Sequence, residues 1–251
     1  MRVAVEAAAA ALVAASLWQA VRGAELPSEF KKCSRSDPDF NACLKDAAED
    51  AIHQLKDGEP SLDVPSFDPL HIPEWDIVQG EGPISVDMHF KDVRLRGISD
   101  SKLARVNVDL DEYTFDVDSM NNIGFEGDYE VNGRVLLLPI AGKGRCNFTL
   151  TDLRSLVYQK GEPVERDGEK YMKHNVFEYK MKDLGLMTLH FEGLFNGDPV
   201  LGDTMNKFLN ENWQDIFKEI KPSLEQTLQN VFKNIAEHFF SQIPYDHIFP
   251  E

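Results

Sequence analysis

Hydrophobic positions change their period twice along this chain. Between Asp37 and Pro60 they follow helical spacing: Phe40, Cys43, Leu44, Ala47, Ala48, Ala51, Ile52 and Leu55 share one face. Asp37 is placed as an N-cap and Pro38 suits the first helical position, while Gly58 and Pro60 end the segment. Residues 59–80 carry Pro60, Pro65, Pro69 and Pro73 and are expected to be extended. From Gly82 the period becomes two. Ile84, Val86, Met88 and Phe90 alternate with polar partners, as do Ala104, Val106, Val108 and Leu110. Ile123, Phe125, Tyr129 and Val131 continue the pattern, then Cys146, Phe148 and Leu150, then Met187, Leu189 and Phe191. Turn signals separate these runs: SDS, NNIG, VNG, AGKG, RDGEK and NGDP. The expectation is a long antiparallel meander with one apolar face.

The helical period then returns. Met205, Phe208, Leu209, Trp213, Ile216, Phe217, Ile220, Leu224, Leu228, Val231, Phe232, Ile235 and Phe239 step by three or four. Residues 203–241 would make about 57 Å of helix. Pro222 lies inside, but the stripe keeps phase from Ile220 to Leu224, which favours a kink there over a separate loop. The stripe is too wide and too aromatic for a coiled-coil seam. A sheet curling around the helix would cover it.

Composition limits the class. The chain has 251 residues, a net charge of −17, 42% hydrophobic residues and sixteen phenylalanines. There is ample apolar material for a core, and the acidity argues against nucleic acid and bare anionic membranes as partners. The chain opens with Arg2, an uncharged apolar stretch from Ala7 to Ala20, and small residues at Val21 and Gly23. This is read as a secretory signal peptide over 1–23, leaving 24–251 as one domain. Fourteen apolar residues are short of the ~20 that span a bilayer. In an oxidising compartment Cys33 and Cys43 are close enough to pair, leaving Cys146 over.

The remaining motifs argue for little chemistry. Gly142-Lys143-Gly144 lacks a third glycine and is followed by strand, so it is not a phosphate loop but a turn between strands ending at Ile140 and starting at Arg145. Asn107, Asp109 and Asp111 resemble the start of a calcium loop, but Glu112 stands where its glycine belongs, so a solvated strand face is expected. The seven histidines show no metal spacing, and no catalytic signature is present, so neither a cofactor, a metal nor an enzyme is expected. Asn147-Phe148-Thr149 is a glycosylation sequon; if Asn147 faces outward, Cys146 and Phe148 face inward. Lys91, Arg94, Arg96, Lys102 and Arg105 form a basic stretch that suits a solvated strand edge or a docking patch.

Two blocks, FEGDYEVNGRVLLLPIAGKGRCNFTL over 125–150 and LNENWQDIFKEIKPSLEQTLQNVFKNIAEHFFSQIPYDHIFPE over 209–251, resemble the insect takeout and juvenile-hormone-binding protein family. The close cysteine pair and the length fit it too. The resemblance implies an α+β fold: a long C-terminal helix wrapped by a strongly curved antiparallel sheet, with a short N-terminal helix tied by the Cys33–Cys43 disulfide. It is similar to one module of the tubular lipid-binding proteins. It also implies a lipid tunnel and secreted carriage of juvenoids, fatty-acyl chains or odorant-like compounds by a monomer. Phe125, Tyr129, Cys146, Phe148, Leu189, Phe208, Trp213, Phe217, Leu224 and Phe232 would line that tunnel. Tyr129, His89 and Trp213 are the polar groups available for selectivity. The competing expectation is a secreted docking module, for a protein partner or a membrane, that uses residues 91–105 and binds lipid only incidentally.

Overall fold

The computed structural model describes residues 24–79 and 82–251; the expected leader, residues 1–23, lies outside the described residues. The first helix, α1 (Phe40–Gln54), is followed by strands β1 (Leu70–Gln79), β2 (Ile84–Arg96), β3 (Lys102–Asp109), β4 (Thr114–Val135), β5 (Leu138–Arg166), β6 (Glu169–Asp183) and β7 (Leu186–Phe191). Two helices close the chain, α2 (Pro199–Glu211) and α3 (Trp213–Gln242), before a last turn, α4 (Tyr245–Ile248). The Cys33–Cys43 disulfide ties the incoming chain to α1.

The strands form an antiparallel sheet with the path β1-β2-β4-β5-β6. Two strands are unusually long: β4 has 22 residues and β5 has 29. At about 3.3 Å per residue β5 has a contour near 95 Å, about twice the ~45 Å length of α3. The long helix packs against β6, β7 and β1 of the sheet that these strands build. The far half of each long strand has a different neighbour. β4 pairs with β3 through its first half and β2 through its second. β5 pairs with β7 through its first half and β6 through its second. The sheet therefore has two ends: β1, β2 and β7 build one, β3 and β6 the other.

Helix side chains cover the open edges. Asn206 on α2 accepts from the N–H of Phe191 and donates to its carbonyl, both at 2.9 Å. Asn210 does the same with Leu189, at 2.9 and 2.7 Å. Four helical residues rise about 6 Å and two strand residues about 6.6 Å, so the two registers match. Glu225 and Gln229 on α3 repeat the pattern, accepting from the N–H groups of Met181 and Tyr179 on β6. On α1, Asn41 and Glu49 accept from Val108 and Leu103 of β3. Backbone groups that would otherwise invite another strand are thereby satisfied.

Several local expectations are revised. The helix begins at Phe40 rather than Pro38, with Asp39 at its N-cap (φ −104°), and the Asp37 carboxylate accepts from the Asp39 N–H in the turn before it. The long helix passes through Pro222 without a break, and the discontinuity falls at Asn212, where φ is −114°. Ala104 faces solvent because a bulge between Leu103 and Arg105 shifts the alternation. NNIG, VNG and AGKG are not turns but lie inside β4 and β5. The hairpin between these strands is at Leu136 and Leu137. Gly142 and Gly144 are instead sites of close approach. A Cβ on Gly142 would lie 2.7 Å from the Leu194 Cα, and one on Gly144 would lie 2.5 Å from the Glu192 carbonyl oxygen.

Candidate functional site

Apolar side chains from the inner sheet face and from α3 do not close completely on one another. Three cavities lie between them. The first, of about 90 Å³, is at the β1–β2–β7 end, and Trp75, Phe90, Phe125, Phe148, Leu189 and Leu224 are among the apolar residues that line it. The middle one measures about 190 Å³. The third, of about 370 Å³, lies under α1 and the chain termini, against Phe30, Ala47, Phe115, Phe239 and Phe249. Leu95, Ile123, Leu150 and Leu228 border both the first and the middle cavity. Ile52, Phe67, Leu103, Val117, Val157 and Phe232 border both the middle and the third. The three lie in a row along α3, with neighbouring chambers sharing wall residues.

Aromatic packing fixes the first chamber. Phe125 stacks on Phe148 with centroids 4.8 Å apart, and both meet Phe90 edge-on at 5.3 and 6.0 Å. Trp75 meets Phe125 at 5.4 Å. The alternating parity of β2, β4 and β5 delivers these rings to one face.

Of the residues expected to line a tunnel, Phe125, Phe148, Leu189 and Leu224 border the first chamber, and Phe232 borders the other two. Five border none of the three. Tyr129 is buried beside Phe191, and its hydroxyl donates to the Glu192 carbonyl at 2.7 Å. Burial raises its pKa. Cys146 is buried, with its sulfur 3.5 Å from the Gly127 carbonyl oxygen, and burial pushes its thiol up to about 12. Phe208, Trp213 and Phe217 are half-buried and pack against the same core. His89 lies on the outer face, its Nδ1 2.7 Å from Asp76. Asn147 is exposed, opposite Glu126 and His190, while Cys146 beside it is buried and Phe148 half-buried.

Residues missed in the sequence concentrate in the middle chamber. Ser101, Ser119, Asn121, Ser155 and Tyr179 line it with apolar neighbours. The signal was available: Ser119 and Asn121 share the inward parity of Val117 and Ile123 on β4. Ser119 and Ser155 are paired across the strands at 2.9 Å, and Asn121 donates to Ser119 at 3.2 Å. Tyr179 lies beside Ser155, and burial pushes its hydroxyl up to about 12. The Asn121 Oδ1 is buried without a partner among the described residues. An unmet acceptor of this kind costs roughly 1–3 kcal/mol.

The basic stretch is largely neutralised. Arg94 pairs with Asp92, Arg96 with Glu126, Lys102 with Glu49, and Arg105 with Asp116 and Asp118. Among the described residues no helix is long and apolar enough to cross a membrane.

A family model described as haemolymph juvenile hormone binding protein matches residues 8–250. The chain belongs to this family. A relative within reach is the circadian clock-controlled protein daywake of Drosophila melanogaster, 27% identical over 237 residues, which are 89% of this chain and 88% of that one. A putative beta-carotene-binding protein of Schistocerca gregaria is 26% identical over 219 residues, 86% of each chain. The crystal structure of Takeout 1 from Epiphyas postvittana superposes with a TM-score of 0.76 at 26% identity, covering 88% of this chain and 99% of that one. The helix wrapped by a curved sheet is thus the takeout-like fold of the family.

Proposed function

We propose that this chain is a secreted, non-enzymatic carrier that holds small lipophilic molecules, of juvenoid, fatty-acyl, carotenoid or odorant-like kind, in the tunnel along α3. The observation that supports this reading is the row of three mainly apolar chambers along α3, whose neighbours share wall residues. Membership of a family named for hormone binding supports it. So does the name of the Schistocerca relative, a putative carotenoid binder. Residues 1–23 serve as the leader, 24–251 as the single mature domain, and Asn147 as an outward glycan site.

Binding by desolvation suffices for useful affinity. Each buried methylene contributes about 0.8 kcal/mol, so a sixteen-carbon chain offers about 12 kcal/mol gross. Lost translational freedom and ordering remove several of these, which leaves micromolar to nanomolar affinity. Native mass spectrometry of protein purified from its source should show a co-purifying lipid, and a fluorescent fatty acid should be displaced by competing lipids. Persistent absence of lipid together with no displacement contradicts the reading. The ion pairing of residues 94–105 counts against the docking alternative.

A further inference from the structure

Between two apolar chambers the tunnel wall turns polar. Ser119 and Asn121 from β4 and Ser155 from β5 form a hydrogen-bonded chain on the lining of the middle cavity, with Tyr179 from β6 beside Ser155. We infer that this belt is a binding subsite for a hydroxyl group carried partway along a long apolar ligand. The inference rests on the carrier reading and names the class of molecule carried: hydroxylated long-chain lipids with the oxygen in mid-chain rather than at an end.

The argument is a count of donors and acceptors. The three hydroxyls supply three hydrogens. One link joins Ser119 to Ser155, and Tyr179 lies beside Ser155. Asn121 adds an N–H donated into Ser119. At least one hydroxyl hydrogen is therefore left over within the belt. On the acceptor side the Asn121 Oδ1 has no partner among the described residues. The unmet demand is one acceptor and one donor on the ligand, and an alcohol supplies both through a single oxygen. A carbonyl or an ether can only accept, so it meets half of the demand. An unbroken hydrocarbon meets none.

Placement sets where on the ligand the oxygen must be. The belt lies in the cavity that shares walls with the first chamber on one side and the third on the other. A ligand hydroxyl seated there has an apolar arm in each neighbouring chamber. The Asn121 oxygen is covered by its surroundings, but the terminal torsion of an asparagine is broad and soft. The proposal requires a turn about that torsion that brings the oxygen to the lumen. Selection arises because a site built to hydrogen-bond a group discriminates against the analogue that lacks it.

The test compares matched eighteen-carbon acids by fluorescent-probe displacement and calorimetry: unsubstituted, with one mid-chain hydroxyl, with one mid-chain ketone, and with a hydroxyl next to the carboxyl. The mid-chain alcohol should bind about tenfold more tightly than the unsubstituted acid, the ketone should fall between them, and the hydroxyl beside the carboxyl should gain nothing. In Asn121→Leu the ratio of the mid-chain alcohol's affinity to that of the unsubstituted acid should shrink to about twofold or less. Equal binding of all four acids to the unaltered protein overturns the belt and leaves lipid carriage standing. Failure of every acid to bind removes the carrier reading, and the belt with it.

Discussion

The two ends of the tunnel are built differently. At the β1–β2–β7 end the wall is continuous sheet, and its narrow chamber is packed by Trp75, Phe90, Phe125 and Phe148. At the other end the chamber is about four times larger, and much of its wall is α1, the segment before it, and the C-terminal residues. The segment from Ala24 to Arg35 and the C-terminal residues hold each other there. Ala24 donates to the Gln242 carbonyl, and the Arg35 backbone donates to that of Pro250. The Arg35 side chain reaches the Phe249 carbonyl and Asp246. A wall of paired strands deforms as a unit, whereas a wall of docked termini opens one contact at a time. For the proposed carrier, the difference predicts a rigid sheet end and ligand entry at the terminal end.

Breaking the packed end should cost most. Phe125→Ala removes a ring that touches Trp75, Phe90 and Phe148, and about 3–5 kcal/mol of stability should be lost in chemical denaturation. A loss below about 1 kcal/mol would show that the first chamber is loose. Next comes the terminal end. The disulfide closes a loop with a sequence separation of 10, so Cys33→Ser with Cys43→Ser should lose about 2–3 kcal/mol. The same change should speed ligand release in stopped-flow experiments, whereas Phe125→Ala should leave the entry rate nearly unchanged. Arg35→Ala is gentler. Its partners are partly exposed, so about 1 kcal/mol is expected, again with faster release.

Acid and base should act on opposite ends, with the smallest effects. Glu49 binds α1 to β3, and its hydrogen bonds with Lys102 and Leu103 lower its pKa. Stability from a lowered carboxyl is present above the unfolded pKa and disappears as pH falls through the folded one. The α1 edge should loosen in acid. His89 bridges β2 to Asp76 on β1, and that hydrogen bond raises its pKa. Its contribution is complete below the unfolded pKa and disappears as pH rises through the folded one. Hydrogen exchange followed across pH should therefore show loss of protection near Leu103 on acidification and near Phe90 above neutrality. Loss at both sites in the same direction would contradict the assignment.

Much of this design was legible in the sequence where a single period holds. The α3 stripe from Ile216 to Phe239 keeps its 3.6-residue phase through Pro222, so the helix and its buried face could be read directly. The length of β4 and β5 could not. Gly142 and Gly144 look like turn residues, yet they serve the close crossing of the chain at Leu194 and Glu192, a contact between residues some fifty positions apart. The break at Asn212 was hidden because Leu209 and Ile216 remain in phase across it. Within the site, Phe125, Phe148 and Leu189 followed from parity. Tyr129 and Cys146 have the same inward parity but sit where Phe191 and the β7 crossing cover them. Asn121 falls in NNIG, which reads as a turn signal, and Ser119 lies outside the apolar runs, so the belt at Ser119 and Asn121 passed unnoticed.

The central claim is one continuous tunnel occupied from end to end. The chain has three tryptophans, and Trp18 belongs to the expected leader. In a protein beginning at Ala24 and carrying Trp213→Phe, Trp75 in the first chamber is the one indole left. Long-chain acids brominated either at the methyl end or beside the carboxyl quench indole only on contact. The account predicts strong quenching of Trp75 by one of the two and weak quenching by the other, because one end of the ligand lies in the first chamber. If both acids bind and neither quenches Trp75, the first chamber is closed off and the continuous tunnel is wrong.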